Sequence, residues 1–181
     1  MEFLQTELNG VILIKPDVFR DNRGFFLESY SREKFQHAGI DTDFIQDNHS
    51  RSVKRGVIRG LHFQAPPAAQ SKLVRVTKGA VMDIVVDLRE QSPTFGKWSS
   101  FELTEENFNI LFVPKGFAHG FCTLTENCEL QYKVDYPYAP SLDRGIKWND
   151  PELKIDWPVK DPVLSDKDAS LPSFRETEIC F

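Results

Sequence analysis

Reactive polar side chains occur inside segments of this sequence that otherwise resemble buried β-strands. The stretch "RGVIRGLHFQ", residues 55–64, carries Arg59 and His62 among valine, isoleucine, leucine and phenylalanine. Burying a charged or polar group without a partner costs several kcal/mol. The pattern therefore indicates that this strand lines a cavity in which both side chains meet a polar ligand.

Further polar residues of this kind lie in other apolar runs: Lys72 in "SKLVRV", His119 in "PKGFAHGF", Tyr132 in "LQYKVDY", and Lys167 and Asp168 in "LSDKD". A histidine, a lysine, a tyrosine and a carboxylate together can carry out acid–base chemistry beside a carbonyl group. We expect Asp168 to accept a hydrogen bond from a histidine and so fix its tautomer. For any one of these residues the alternative is a hydrogen-bonded polar residue at a strand end.

A metal site is the competing interpretation of the histidines. The segment "PKGFAH" resembles the Pro-x-Gly-x-x-His motif of the cupin superfamily, which often supplies one metal ligand. A metal-binding cupin also needs a His-x-His pair and a carboxylate, whereas "LHFQ" supplies a single histidine. Three imidazole or carboxylate ligands at suitable spacing are missing, so we expect no catalytic metal.

Composition limits the class of protein. The chain has 181 residues, of which 40% are hydrophobic, enough for one core without disulfide or metal support. A net charge of −5 argues against a nucleic-acid-binding surface and leaves room for a local basic pocket that binds a small anion. No segment approaches the roughly 20 apolar residues of a membrane span.

The cysteines and the first residues indicate the cellular compartment. Cys122, Cys128 and Cys180 are odd in number and have no CxxC spacing, which is typical of reduced thiols. The opening "MEFLQTELNG" is acidic and lacks the basic and apolar regions of a signal peptide. We expect a cytoplasmic protein.

The elements that position these residues are predicted to be strands. Nine short apolar or alternating runs are separated by Gly, Pro, Asn and Asp: "GVILIKP", "GFFLESY", "GVIRGLHFQ", "KLVRVT", "AVMDIVVDL", "WSSFEL", "NILFVP", "FAHGFCTL" and "CELQYKVDY". In "AVMDIVVDL" the alternation places Asp83 and Asp87 on one face, which we expect to contact water. The only clear helical window is "SREKFQHAGI", with Ser31 as N-cap and Gly39 as C-cap; "DPELKI" and "SDKDAS" each suit a single turn.

This pattern predicts the fold class. Nine or ten strands with almost no intervening helix exclude a parallel βαβ architecture. We expect an all-β protein, an antiparallel double-sheet jelly roll or barrel with a few short helices, in which residues 1–181 form a single domain. A small ligand usually sits in the mouth of such a barrel.

The sequence resembles the dTDP-4-dehydrorhamnose 3,5-epimerase family of the cupin superfamily. The resemblance rests on ordered motifs along nearly the whole chain: "DNRGFFLESY", "QDNHSRS", "GVIRGLHFQ", "KLVRVTKGAVMDIVVDLR", "SPTFGKW", "VPKGFAHGF", "YKVDYPYAP", "IKWNDP" and "LSDKD". It implies a cupin-fold enzyme of dTDP-L-rhamnose biosynthesis that converts dTDP-4-dehydro-6-deoxy-D-glucose to dTDP-4-dehydro-L-rhamnose without a cofactor. It also implies a homodimer.

The resemblance implies a role for each matching residue. His62 is the expected base, supported by Asp168; Tyr132 is the expected acid on the opposite side, and Lys72 stabilises the oxyanion on the C4 carbonyl. Tyr138 matches the aromatic residue that stacks on thymine. The remaining matches are to sugar-nucleotide binding positions: Arg23, Glu28, Gln46, Asp47, Asn48, Arg59, His119, Asp143 and Lys167.

Two details of this assignment are open to a structural check. Asp143 stands where many relatives carry glutamate, so its shorter carboxylate makes its ligand contact the least secure. Strict alternation places residues 59 and 62 on opposite faces of a strand. If both side chains reach the ligand, the strand must bulge or twist around Gly60.

The sequence leaves other functions open. A C3-only epimerase or a ketoisomerase would use the same scaffold, although the presence of both Tyr132 and Tyr138 favours the double epimerase. A non-catalytic sugar-nucleotide-binding module would not need a base–acid pair. In a homodimer, the strand "VILIKP" is suited to pairing with a neighbouring subunit, and Arg23 and Glu28 are then expected to serve the partner's pocket.

Overall fold

The computed structural model describes residues 1–181, which form thirteen strands and two short α-helices. The strands are Glu2–Gln5 (β1), Ile12–Lys15 (β2), Val18–Asp21 (β3), Gly24–Leu27 (β4), Gln46–Ser52 (β5), Ile58–Gln64 (β6), Lys72–Lys78 (β7), Ala80–Asp87 (β8), Trp98–Thr104 (β9), Ile110–Val113 (β10), Phe117–Thr123 (β11), Cys128–Val134 (β12) and Asp143–Gly145 (β13). The helices are Arg32–His37 (α1) and Asp166–Ala169 (α2), and a 3-10 turn spans Pro140–Leu142.

The strands form two large sheets and one hairpin. One sheet has six strands in the order β1-β2-β10-β7-β12-β5, and the other has five in the order β13-β6-β11-β8-β9. The pairings within both sheets are antiparallel. The strands β3 and β4 pair only with each other. The strand β2, from the run "VILIKP", is paired on both edges, with β1 and β10, so the prediction that it pairs with a neighbouring subunit is wrong. The predicted antiparallel double-sheet jelly roll is confirmed.

The space between the two sheets is filled by apolar side chains from both. Val74, Leu111 and Leu130 of the six-stranded sheet belong to the same buried cluster as Val85 and Phe121 of the five-stranded sheet. Full burial of a side chain of this size contributes about 1.5–3 kcal/mol. This core fixes the spacing of the sheets, and with it the width of any cavity between them.

The outer face of the five-stranded sheet is covered by the end of the chain. Ile84 and Val86 of β8 share a buried cluster with Trp157 and Phe174, which lie in the long C-terminal segment after β13. Both faces of β8 are therefore enclosed, one by the opposite sheet and one by this segment. The strand has no face in contact with water.

This arrangement contradicts the prediction for Asp83 and Asp87. Both side chains are fully buried. Asp87 accepts hydrogen bonds from Arg89, Ser92 and Thr94, so its charge is compensated inside the protein. The alternation of β8 was correct, but the sequence pattern gave no sign that distant residues cover both faces of this strand.

Helix α1 covers part of the outer face of the six-stranded sheet. Its one buried residue, Phe35, packs with Leu73 and Phe112. Ser31 caps the helix as predicted, since its hydroxyl accepts a hydrogen bond from the Lys34 N–H. The C-cap is Ala38, one residue before the predicted Gly39, which follows it with a φ of +84°.

No helix in the structure is both long enough and apolar enough to cross a membrane.

Candidate active site

A cavity of about 290 Å³ lies between the two large sheets and is closed on one side by α2. Its lining residues are Ser50, Arg59, His62, Lys72, His119, Phe121, Leu130, Tyr132, Ser165, Lys167 and Asp168. The fold thus brings the predicted base, acid, oxyanion-stabilising lysine and supporting carboxylate to one site. Each of these four comes from a different element: β6, β12, β7 and α2.

A bulge in β6 turns both Arg59 and His62 toward this cavity. In the ladder with β11, His62 lies opposite His119 and Arg59 opposite Phe121, so β6 has one residue more than β11 between the two pairs. The extra residue sits at Gly60, whose φ is +128°. Strand glycines permit such bulges because they have no side chain. The bulge required by the sequence assignment is present.

His62 is oriented by Asp168. The His62 Nε2 lies 2.5 Å from the Asp168 Oδ1, and Asp168 is buried in α2. Burial alone would raise the pKa of Asp168, but hydrogen bonds from His62 and Ser165, together with the nearby Lys167, hold it below its ordinary value. The charged carboxylate fixes Nε2 as the protonated nitrogen and leaves Nδ1 free to take a proton from a ligand.

His119 is held in the same way by Asp83. Its Nε2 lies 3.0 and 2.9 Å from the two carboxylate oxygens of Asp83, which is fully buried on β8. Sequence reasoning missed Asp83 as part of the site. The signal that could have identified it is its alternation with Val81 and Val85, which places the carboxylate on the inward face of β8.

Lys72 and Tyr132 reach the cavity from the six-stranded sheet. Burial lowers the pKa of Lys72 to about 8, although the carboxylates of Asp83 and Asp143 oppose that shift. Burial also raises the pKa of Tyr132, against the effect of Arg59. Lys72 therefore loses its proton at a lower pH than an ordinary lysine, and Tyr132 keeps its proton to a higher pH than an ordinary tyrosine. His62 lies on the opposite sheet, so the predicted base and the predicted acid lie on opposite walls of the cavity.

A second polar group adjoins the cavity through Lys167. The Tyr138 hydroxyl donates a hydrogen bond of 2.8 Å to the Asp143 Oδ2, and the Lys167 ammonium donates to the same oxygen. The ring of Tyr138 is largely exposed. This hydrogen bond, together with the negative charge of Asp143, raises the pKa of Tyr138. The ring of Tyr138 is thus linked through Asp143 to Lys167 of the cavity lining.

Comparison with known proteins identifies the family. The family model described as dTDP-4-dehydrorhamnose 3,5-epimerase matches residues 5–176. The chain belongs to the dTDP-4-dehydrorhamnose 3,5-epimerase family. The enzyme of that name from Pseudomonas aeruginosa is 51% identical, with 100% of this chain and 99% of the relative covered.

Solved structures of this epimerase family share the fold. The Bacillus anthracis dTDP-4-dehydrorhamnose 3,5-epimerase with TDP and PPi bound is 49% identical with a TM-score of 0.93, covering 95% of this chain and 98% of that one. The Legionella pneumophila enzyme in complex with dTDP-4-keto-L-rhamnose is 41% identical with a TM-score of 0.92, covering 97% and 93%. A 3'-monoepimerase from Streptomyces bikiniensis with dTDP-quinovose is 32% identical with a TM-score of 0.88, covering 93% and 86%.

Two residues that the epimerase resemblance assigned to ligand binding lie at or next to the β3–β4 hairpin. Arg23 is at its tip, paired with Asp21 and largely exposed. Glu28 follows the hairpin and pairs with Lys34. Neither side chain lines the cavity of its own chain.

The "QDN" residues lie on β5, at the edge of the six-stranded sheet. Asp47 is opposite Lys133 in register and bound to it at 2.8 Å, on the outer face of the sheet. Asn48 is opposite Tyr132 and shares its inward face, and the Gln46 side chain donates a hydrogen bond to Asn48. None of the three lines the cavity within one chain.

The site does not assemble a metal-ligand group. Its two histidines and two carboxylates form separate pairs, and no cluster of three or more His, Cys, Asp or Glu side chains is close enough to hold a metal ion. That the reaction is independent of metal ions stays a prediction.

Proposed function

We propose that this chain is a 3,5-epimerase that converts dTDP-4-dehydro-6-deoxy-D-glucose to dTDP-4-dehydro-L-rhamnose in dTDP-L-rhamnose biosynthesis. The observation that carries the proposal is the placement of the His62–Asp168 pair and Tyr132 on opposite walls of one cavity, with Lys72 between the sheets beside them. Inversion of a carbon centre needs a base on one face and an acid on the other.

The chemistry follows from the substrate. The C3 and C5 protons of a 4-ketohexose are acidic because their removal gives an enolate whose charge spreads onto O4. In our proposal His62 removes each proton in turn, and the Lys72 ammonium stabilises the charge on O4. Tyr132 then delivers a proton to the opposite face, and before the second inversion His62 loses its proton to solvent and Tyr132 regains one from it. No electrons are transferred to or from the sugar, so we propose that the reaction needs neither nicotinamide nor any other cofactor.

The nucleotide part of the substrate is assigned to the cationic and aromatic side chains. We propose that Arg59, His119 and Lys167 bind the diphosphate and sugar, and that Tyr138 stacks on thymine. The positions of Arg59, His119 and Lys167 in the cavity lining support this assignment. The exposed ring of Tyr138, coupled to Lys167 through Asp143, supports the placement of the base beyond the cavity.

We also propose that the enzyme is a homodimer. Phe19 and Phe26 lie opposite each other on the hairpin and are 65% and 70% exposed, an apolar surface that a second copy of the chain would cover. The same hairpin carries Arg23, which does not line the His62 cavity of its own chain. We assign Arg23 and Glu28, with Gln46, Asp47 and Asn48, to a ligand site completed by two copies.

Subunit mixing tests that assignment. Neither His62→Ala nor Arg23→Ala alone should be active, but mixed dimers of the two variants should regain activity, because one of their two sites combines an intact His62 with an intact Arg23. If Arg23 acts in its own chain, one site of the mixed dimer lacks His62 and the other lacks Arg23, so no activity returns. A monomeric wild type in light scattering would contradict the dimer itself.

Two coarser assignments complete the proposal. We propose that residues 1–181 form one domain, because the segment after β13 supplies both Asp168 to the cavity and Phe174 to the core. A single cooperative unfolding transition is expected. We propose a cytoplasmic location, which is supported by the three free cysteines, two of them buried.

Product analysis tests the function directly. Incubation with dTDP-4-dehydro-6-deoxy-D-glucose should give a sugar inverted at both C3 and C5, as read by NMR. Inversion at C3 alone would indicate the C3-only epimerase, which the 32% identity to a monoepimerase with the same fold keeps as the main alternative. A keto group moved along the ring would indicate a ketoisomerase, and binding without turnover would indicate a non-catalytic module.

A further inference from the structure

One buried amide holds the chain on both sides of Tyr138. The Gln64 side chain is buried, and its Oε1 accepts a 2.7 Å hydrogen bond from the Ala139 N–H. Its Nε2 donates to the Pro137 carbonyl at 3.2 Å and to the Ala68 carbonyl at 2.7 Å. The two residues that flank Tyr138 are therefore bound to a single side chain, and the backbone at this position has little freedom.

The hydroxyl of Tyr138 is held by a neighbour of that same glutamine. Asp143 begins β13 and lies opposite Gln64 in the β13–β6 register. Its side chain is only 9% exposed, and one of its oxygens accepts hydrogen bonds from both Tyr138 and Lys167. Little of the carboxylate remains accessible to a ligand. Its contacts point to a role in placing two other side chains.

The ring between these two restraints is open to solvent. Tyr138 is 59% exposed, so ordering its side chain is not compensated by burial within its own chain. Fixing a side chain in its bound conformation before the ligand arrives removes an entropy cost that binding would otherwise carry. An exposed aromatic ring fixed at both backbone and hydroxyl is the arrangement expected of a preformed stacking surface.

We infer that Gln64 and Asp143 are positioning residues that hold Tyr138 in place for the nucleotide base. For Asp143 this role goes beyond the sequence-based assignment to ligand binding, and it rests on the proposed function because the base belongs to a dTDP-sugar. Gln64 follows His62 by two residues on β6. One strand thus carries the base of the reaction and the support for the nucleotide-binding ring.

Binding of dTDP and binding of pyrophosphate should respond differently when Tyr138 is released. Gln64→Met and Tyr138→Phe loosen Tyr138 without removing a partner of Lys167, so they should weaken binding of dTDP and leave binding of inorganic pyrophosphate unchanged, because pyrophosphate has no base to stack. Loss of one hydrogen bond should weaken dTDP binding roughly threefold to tenfold. With the full substrate, KM should rise while kcat changes little, since the chemistry takes place elsewhere.

Calorimetric titration of the full-length enzyme with both ligands is the experiment. The variants are Asp143→Asn, Tyr138→Phe, their combination, and Gln64→Met. Gln70→Met is the matched control, because the Gln70 amide bonds the Tyr136 carbonyl in the same loop and does not touch the neighbours of Tyr138. We expect the effects of Asp143→Asn and Tyr138→Phe on dTDP binding to be less than additive, because both remove the same hydrogen bond, and we expect Gln70→Met to bind dTDP normally.

The outcomes separate this inference from the function on which it rests. A wild type that does not bind dTDP would contradict the proposed function. A wild type that binds dTDP, with Asp143→Asn and Tyr138→Phe strictly additive or with pyrophosphate weakened as much as dTDP by Gln64→Met, would overturn the positioning role alone. If Gln64→Met fails to fold, Gln64→Asn keeps the amide but shortens its reach, and unchanged dTDP affinity in that variant would equally overturn the role of Gln64.

Discussion

His62 and His119 lie directly opposite each other on neighbouring strands, and each is bound through Nε2 to its own buried carboxylate. The carboxylates come from distant parts of the chain, Asp168 from α2 and Asp83 from β8. Both imidazoles line the same cavity with Nδ1 free of any bond within the chain. Only His62 faces Tyr132 in a base–acid role in our assignment, so the two pairs should respond differently to loss of charge.

The first prediction concerns the charge of Asp168. Asp168→Asn cannot stabilise the imidazolium that forms when His62 takes a proton, so kcat should fall by about 10² or more. Binding of dTDP and the far-UV circular dichroism spectrum should be unchanged. Asp166→Asn, an exposed residue on the same helix, is the matched control and should be fully active. Near-normal turnover by Asp168→Asn would reduce Asp168 to a structural residue of α2.

The second prediction concerns pH. Lys72 must be protonated to stabilise the oxyanion, and burial lowers its pKa to about 8 from an ordinary 10.5. The active ammonium is present below this pKa and is lost as the pH rises through it. We expect kcat/KM to fall about tenfold per pH unit above about pH 8. The raised pKa of Tyr132 keeps its own titration outside this range.

Lys72→Arg provides the control for this assignment. A guanidinium stays protonated across the accessible range, so whatever activity the variant retains should show no fall near pH 8. The same alkaline limb in wild type and variant would show that a group other than Lys72 produces it. The measurement is the pH dependence of kcat/KM, which reports ionisation of the free enzyme.

The fold was largely predictable because strands with one or two buried faces leave a clear apolar pattern. Every one of the nine apolar runs contains a strand of the structure. Four strands lie outside these runs: β1 and β5 form the two edges of the six-stranded sheet, β3 pairs only with β4, and β13 has only three residues, held in place by β6. Edge strands take their conformation from a neighbour more than from their own composition.

The site was predictable where residue type and chemistry coincide, and less so where geometry decides. His62, Lys72, Tyr132 and Asp168 stand out as polar residues in apolar or capping contexts, and the fold brings them together. The sequence pattern wrongly predicts that Asp83 contacts water, because its burial depends on the opposite sheet. The sequence does not predict a role for Gln64, because a side-chain amide that bonds distant backbone groups has no local sequence signature.

The third prediction concerns Gly60. An added Cβ would lie 2.6 Å from the Gly120 Cα and 2.8 Å from the His119 carbonyl oxygen, both backbone atoms that cannot move aside cheaply. Its φ of +128° is also unfavourable for any other residue. Gly60→Ala should lower the free energy of unfolding by about 2–5 kcal/mol, as overpacking and backbone strain combine. Activity should also be lost, because the displaced bulge no longer directs Arg59 and His62 into the cavity.

Gly24→Ala separates the two contributions. Gly24 has a φ of +131°, nearly that of Gly60, but an added Cβ meets nothing within 4 Å. This variant should show the backbone strain alone, about 1–3 kcal/mol. Chemical denaturation of both variants gives the comparison. Equal destabilisation would mean that close approach to Gly120 is not what requires a glycine in β6.

The fourth prediction concerns metal ions. Because the two His–Asp pairs are separate and no third ligand joins either, we expect full activity after exhaustive chelation. The assay should follow product formation in buffer treated with EDTA and then with added zinc or magnesium. Activity that is lost on chelation and restored by a divalent ion would overturn the acid–base assignment.

The last prediction separates the roles of base and acid. If His62 removes the protons at C3 and C5, His62→Ala should show no exchange of these positions with D₂O. Tyr132→Phe keeps the base and Lys72 but lacks the donor on the opposite wall. His62 can then return deuterium only to the face from which the proton came. We expect exchange into unepimerised sugar, with inversion strongly reduced, at C5 in particular.

The contrasting outcome follows from the position of Tyr132 on β12, between Gln131 and Lys133. If Tyr132 only forms part of the cavity wall, removal of its hydroxyl leaves the reaction intact, and Tyr132→Phe inverts both centres at nearly the normal rate. NMR of the sugar nucleotide recovered from D₂O distinguishes the two cases, because it reads isotope content and configuration at each carbon independently. Exchange without inversion in the phenylalanine variant, together with no exchange in His62→Ala, is the pattern that places the acid and the base on opposite walls of one cavity.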